Sequence, residues 1–402
     1  MSDVITWFPE AYEESRDMFR RDADLVRRVW PDAKLDNHRI AADEDLTIDW
    51  IEAPGVERNS KLLLFTTGEH GIEGYVGAAM LHLFMQEFLP LFDRRDTGLL
   101  LVHAINPWGM KHKRRTNRNN VDLNRNFIWS ASEAEAPGAT LYDPAVNPDY
   151  DRLNPFLNPQ RSVRKASLSK LGFTMRLLWT MITAGPAALR AASLLGQYRF
   201  AKGIYYGGDA CQEEVRVLMG LYRAHVQQYR RILHLDIHTG FGPRYQMSVV
   251  NSPLEPRHTG ELEEAFDYPR VLKANPEEFY SIHGDMIDYM YNMVKEHFPD
   301  RDLYATSFEF GTLGTSFSAT VQSLRTMILE NQAHWHGVAN TDVRDQVAMA
   351  FRDMFIPSEP EWRAEAVSDA RQAFAGILRA EGFISARSPA VDHAADATSI
   401  AE

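Results

Sequence analysis

The sequence predicts an α/β fold built on a largely parallel sheet. Three observations predict it. Short apolar runs at 61–67, 99–105 and 231–238 read as buried strands. Segments with helical spacing of apolar residues alternate with them. Histidines, carboxylates and an asparagine gather at the carboxyl ends of those runs, where open α/β sheets place their ligands: His70, Glu73, Asn106, His238 and Glu309.

The elements follow in order. Met18, Phe19, Leu25, Val26 and Val29 recur at helical spacing, so 10–30 is a helix. Residues 46–52 and 61–67 are strands, and Val76, Met80, Leu81 and Phe84 mark an amphipathic helix over 74–90. The strand 99–105 is stopped by Asn106-Pro107. From 106 to 160 the chain is rich in Asn, Arg, Asp and Pro, which reads as a long functional loop or an insert. A helical pair over 166–198 breaks at Gly185-Pro186, and a further helix covers 211–229. Strands at 231–238 and 246–250, a helix at 284–297 and a strand at 304–310 complete the pattern. The expected organisation is one domain over 1–385 with a helical insert at about 128–200, followed by a disordered tail at 386–402.

Bulk composition excludes several classes of function. The 402 residues carry 43 basic and 55 acidic side chains, a formal net charge of −12. Diffuse negative charge argues against nucleic acid and anionic membranes as main partners. The single cysteine, Cys211, permits no internal disulfide and points to a reducing compartment. The start of the chain lacks the basic and apolar regions of a signal peptide, and the apolar run at 172–185 is too short for a membrane span and carries Arg176. A cytoplasmic protein is the expectation.

The most informative stretch is Gly68-Glu69-His70-Gly71-Ile72-Glu73-Gly74. A strand ending in a glycine-flanked His-x-x-Glu sets an imidazole and a carboxylate on one tight turn. His238 closes another strand in Ile-His-Thr-Gly. His70, Glu73 and His238 together suit one Zn²⁺ with an open fourth position, which activates water and polarises a carbonyl. His234, Asp236 and His238 share one strand face, and Asp236 is placed to orient the histidine. Glu309, at the end of an otherwise apolar strand, is the candidate base. The run 113–127 brings guanidinium groups together on one loop: Arg115 for the developing oxyanion, Arg125 for a substrate carboxylate and Asn124 as an amide donor.

These motifs, in this order between about residues 60 and 315, resemble the zinc carboxypeptidase superfamily. The resemblance implies a three-layer α/β/α fold with a mixed, largely parallel central sheet. It implies one Zn²⁺ held by His70, Glu73 and His238, carbonyl polarisation by Arg115 (with Arg114 and Arg118 close by in sequence), and a carboxylate clamp of Asn124 and Arg125. The segment 280–289 resembles the family's Tyr-x-x-x-Gly-x-x-Ile-Asp-aromatic run, which makes Tyr280 the tyrosine that closes over substrate and places Ile287 where side-chain preference is tuned. Glu309 matches the general base. The glycine-rich His-x-x-Glu turn and Asp122-Leu123-Asn124-Arg125 also resemble the aspartoacylase and succinylglutamate desuccinylase branch.

The expected activity is hydrolysis of an amide bond beside a free carboxylate, on a small peptide or an N-acyl amino acid. An N-acyl amino acid deacylase is the first rival. A catalytically silent metal-binding domain and a nucleic-acid module are rivals of other classes. An oligomer is compatible with the sequence.

Overall fold

The computed structural model describes residues 6–40, 43–128, 147–185, 188–189, 195–274 and 283–385. Helix α1 (Tyr12–Val29) leads to strands β1 (Lys34–Arg39), β2 (Thr47–Ala53) and β3 (Lys61–Thr67). Helix α2 (Gly74–Glu87), strand β4 (Thr97–His103) and the short helix α3 (Pro107–Lys111) follow. Helices α4 (Tyr150–Leu157), α5 (Lys170–Ala184) and α6 (Glu213–Val226) precede β5 (Arg231–Thr239). The chain continues through β6 (Met247–Asn251), α7 (Thr259–Phe266), β7 (Val271–Lys273), α8 (Met286–His297) and β8 (Asp302–Phe310). It ends in α9 (Phe317–His336), α10 (Thr341–Phe355) and α11 (Pro360–Ala380).

The strands form one mixed sheet in the order β1-β2-β4-β3-β5-β8-β6-β7. The central run β4-β3-β5-β8 is parallel, while β1/β2, β2/β4 and β6/β8 are antiparallel. Alternate side chains divide between two cores, as strand geometry requires. Leu63, Phe65, Leu99, Leu101, Leu233 and Leu235 pack with α1, α2 and α11. Leu62, Leu64, Leu100, Val102 and Ile232 pack on the other face with α6 and α8. The result is the expected three-layer α/β/α architecture with a largely parallel centre.

The expected elements stand within a few residues of their predicted bounds, with informative differences. Asn106-Pro107 stops β4 and also starts α3: the Asn106 side chain accepts from the Gly109 N–H at 2.8 Å and Pro107 occupies the first turn. Of the expected helical pair, α5 ends at Ala184 with Gly185 as its cap, whereas 186–187 and 190–194 lie outside the described residues. Gln197 makes a parallel bridge with Tyr206 instead of continuing a helix. The expected disordered tail, 386–402, lies outside the described residues. Helices α9 to α11 have no counterpart in the sequence reading. Helix α11 covers one sheet face, where the Phe374 ring meets Phe65, Phe84 and Phe308 at 5.2–5.9 Å between centroids. Helices α4 and α5 form a smaller cluster against α9 through Tyr150, Leu153, Phe173, Leu177 and Ile328.

Candidate active site

Three strand ends and one loop build the site. Strand β3 ends at Thr67, and Gly68 turns the chain with φ +70°, a conformation that favours glycine. A Cβ on Gly71 would lie 2.1 Å from the Gly109 backbone, so glycine is needed for the turn to seat against α3. The turn Gly71–Glu73 then presents His70 and Glu73 inward, both almost fully buried. Two strand neighbours complete the frame: His238 at the end of β5 is paired in register with Glu309 of β8.

The predicted residues converge. His70 Nδ1 lies 3.0 Å from Glu73 Oε1, His238 Nδ1 lies 3.2 Å from Glu73 Oε2, and the two Nδ1 atoms lie 3.2 Å apart. The second nitrogen of each ring is held by a carboxylate: His70 Nε2 by Asp122 Oδ1 at 3.0 Å, His238 Nε2 by Asp236 Oδ2 at 2.5 Å. Asp236 in turn accepts from Thr66 Oγ1 at 2.6 Å. Thus both Nδ1 atoms and the Glu73 carboxylate share one spot, with ring orientations fixed from behind, as ligating histidines are fixed in metal sites.

Glu69, His70 and His238 also offer ligand atoms within 4.8 Å of one another, so a second carboxylate competes for the same role. The geometry separates the two. Glu69 reaches His238 Nε2 at 3.5 Å, on the side Asp236 already occupies. Glu73 meets Nδ1 of both rings. Burial, with Asp236 adding, raises the Glu69 carboxyl well above its ordinary range, which favours the neutral acid. Burial alone would raise Glu73 too, but His70 and His238 outweigh it and hold Glu73 low. Thr239 N–H (2.9 Å) and Arg115 Nη1 (3.2 Å) donate to that carboxylate.

Asp122 ties the arginine loop to this centre. It accepts from Arg115 Nε at 3.2 Å and from Arg125 Nη1. Burial would raise its carboxyl, yet Arg115 and Arg125 outweigh burial and hold it well below the ordinary carboxylate range. Of the three neighbouring arginines only Arg115 reaches the centre. Arg114 pairs with Glu330 at 2.7 Å, and Arg118 pairs with Asp43 on the surface. Arg125 lies with its guanidinium 5.0 Å from the Tyr205 ring centroid. Asn124 accepts from the Met286 N–H at 3.0 Å, which docks the loop on the start of α8.

A small cleft opens beside His238 and Glu309, lined also by Asn124, Asp285, Ile287 and Asp288. Burial pushes the Glu309 carboxyl up to about 8, with His238 opposing and Glu73 adding to the rise. One of its oxygens is buried without a hydrogen-bond partner. Tyr280 lies outside the described residues. A larger cleft of about 730 Å³ opens behind Ile72, lined by Trp108, Arg114 and Glu330, and it touches none of His70, Glu73 or His238.

The charge balance suits a cation. Glu73 and Asp122, their carboxyls held low, and Asp236 are fully buried, against the two guanidiniums of Arg115 and Arg125. Burial would depress the His238 imidazolium, but Asp236 and Glu73 outweigh it and raise its pKa well above the usual histidine value. These groups favour positive charge at this point. Two nitrogens and one carboxylate, each firmly oriented, fit a borderline divalent ion.

A model of the family described as "Protein of unknown function (DUF2817)" matches residues 8–369. The chain belongs to that family. No curated protein matches the chain. Among solved structures, this DUF2817 chain is similar to bovine thrombin-activatable fibrinolysis inhibitor, solved with tick carboxypeptidase inhibitor. The identity is 12%, covering 84% of this chain and 99% of that one, with a TM-score of 0.43. It is similar to carboxypeptidase A from Helicoverpa armigera at 12% identity, covering 82% and 74%, with a TM-score of 0.41. Murein-tripeptide amidase MpaA from Escherichia coli O157 matches at 16% identity, covering 75% and 92%, with a TM-score of 0.35. At these values the likeness carries nothing about chemistry.

Proposed function

We propose that the chain is a zinc-dependent hydrolase that cleaves an amide bond next to a free carboxylate, a carboxypeptidase-type metallopeptidase. One observation carries the reading: the Nδ1 atoms of His70 and His238 and the Glu73 carboxylate meet within 3.2 Å, each ring backed by its own carboxylate. His70, Glu73 and His238 would hold the ion. When bound, zinc supplies Lewis-acid polarisation of the scissile carbonyl and lowers the pKa of water.

The chain's own residues do the rest. Glu309 stands across from His238, takes the proton of the attacking water and returns it to the leaving amine. A carboxyl raised by burial suits both transfers near neutrality. Arg115 keeps 17% of its side chain exposed and faces the oxyanion that develops on the carbonyl. Asn124 and Arg125 receive the substrate carboxylate, and Tyr280 closes over it.

C-terminal dipeptides and their amidated analogues test the reading. Release of the C-terminal amino acid from free but not amidated peptides, abolished by chelator and restored by Zn²⁺, is the expected result. Metal-loaded protein that releases nothing from either class would overturn it. A second reading, N-acyl amino acid deacylation, is favoured by the runs 68–74 and 122–125. It predicts faster release of the acyl group from N-acyl amino acids than of residues from dipeptides.

A further inference from the structure

Helix α5 is out of keeping with the rest of the surface. Nine large hydrophobic side chains stand exposed among the described residues, and five of them belong to this one helix: Leu171, Met175, Leu178, Trp179 and Ile182. Leu171, Trp179 and Ile182 are 74%, 67% and 78% exposed. Their spacing puts them on one side, while Phe173 and Leu177 on the other side bury into the cluster with α4 and α9. A helix apolar on both sides is normally covered on both.

The charge around it is equally local. The whole chain carries a net charge of −12, yet between residues 152 and 208 there are nine basic residues and no acidic one, of which Arg152 and Arg199 pair with Asp149 and Asp151. At the N-terminal foot of α5 a cleft of about 510 Å³ is lined by Arg161, Arg164, Arg176, Ser162, Ser167 and Ser169. Arginines and hydroxyls without a carboxylate form a chemistry suited to phosphate.

We propose that α5 and this basic segment seat the protein on an anionic phospholipid bilayer, with Leu171, Met175, Trp179 and Ile182 among the acyl chains and the arginine cleft on the lipid phosphates. No described helix is long and apolar enough to cross a membrane, and α5, at 15 residues, is about 22 Å long, so it lies in the interface. A second copy is the weaker occupant, because pairing two α5 faces sets two net-basic segments together. The diffuse negative charge that argues against an anionic membrane for the chain as a whole does not extend to this face.

Co-sedimentation of the full chain with phosphatidylcholine vesicles, and with vesicles containing phosphatidylglycerol, tests the proposal. Binding to the anionic vesicles only, weakened by salt, is expected. L171E/I182E should abolish it, and K165A/K170A should weaken it about fivefold for each side chain removed. Brominated lipid should quench tryptophan fluorescence in wild type and markedly less in W179F, a readout independent of the charge variants. Equal binding to neutral and anionic vesicles, or binding untouched by these substitutions, would overturn the proposal. So would a lipid-free dimer that L171E/I182E converts to monomer.

Discussion

His70 and His238 are separated by 168 residues in sequence, yet their Nδ1 atoms lie 3.2 Å apart. Parallel pairing of β3 with β5 brings the two strand ends side by side, and Asp122 and Asp236 clamp the opposite ring nitrogens. Either a proton or a cation between them satisfies both nitrogens. Under the proposed function, the arrangement is a ligand set held ready by its backing carboxylates.

The two glutamates of the turn should separate cleanly. Glu73→Gln removes a charged oxygen from the point both Nδ1 atoms face and should abolish stoichiometric zinc binding. Glu69→Gln should leave it intact, because the Glu69 carboxyl is already favoured in its neutral form. Zinc titration with a competing chromophoric chelator reads both. The reverse ranking would transfer the ligand role to Glu69.

The backing carboxylates should matter almost as much as the ligands. Asp122→Asn and Asp236→Asn should each weaken zinc affinity by about 10- to 100-fold without removing the site. The same chelator competition measures this. Unchanged affinity in both variants would show that the rings need no support.

Glu309→Gln should lower kcat by about 10²–10⁴ while zinc stays bound at full stoichiometry. Near-wild-type turnover in that variant would remove Glu309 from the proton transfers. Arg115→Ala should cost about 10²–10³ in kcat if it meets the oxyanion.

A buried histidine away from the site gives the protein an acid sensitivity. His103 is fully buried, stacked on Phe19 at 5.2 Å and bonded to Ser15 Oγ at 2.8 Å. Burial, helped by Arg16 and Arg20, lowers its pKa to about 3. In the unfolded chain a histidine titrates near 6.5. Between those values only the unfolded state holds the proton, so stability is complete above about pH 6.5 and is lost as pH falls towards 3. Each such group contributes a slope of about 1.4 kcal/mol per pH unit. Urea unfolding at pH 7 and 5.5 should show the loss, and His103→Gln should reduce it by that amount. An unchanged slope in the variant would assign the acid loss to other groups.

Much of this site is legible in the sequence, for a physical reason. An apolar run that ends in a glycine-bounded polar turn reads as a strand end, and neighbouring strand ends of a parallel sheet meet. His70, Glu73, His238 and Glu309 follow from that. The choice among Arg114, Arg115 and Arg118 does not, because one loop delivers them in different directions to Glu330, Glu73 and Asp43. The hub role of Asp122 is not legible either, because it depends on His70, Arg115 and Arg125 converging on one carboxylate. Glu69 is not legible, because its place beside His238 follows from the fold and not from its spacing to His70.

Helices α9 to α11 have no counterpart in the sequence reading, although each carries a start signal. Ser316 accepts from the Ala319 N–H at 3.2 Å to start α9, Asn340 accepts from Val343 N–H at 3.0 Å to start α10, and Pro360 opens α11. Strand β1 carries no such sign. Its charged residues face solvent on a sheet edge, so it shows no apolar alternation.

Elemental analysis of the purified chain, beside the His70→Ala and His238→Ala variants, tests the central claim most directly. The prediction is one zinc per wild-type chain, removable by chelator, and essentially none in either variant. Zinc retained at full stoichiometry in both variants, or a wild-type chain that takes up no zinc when it is supplied, would contradict it.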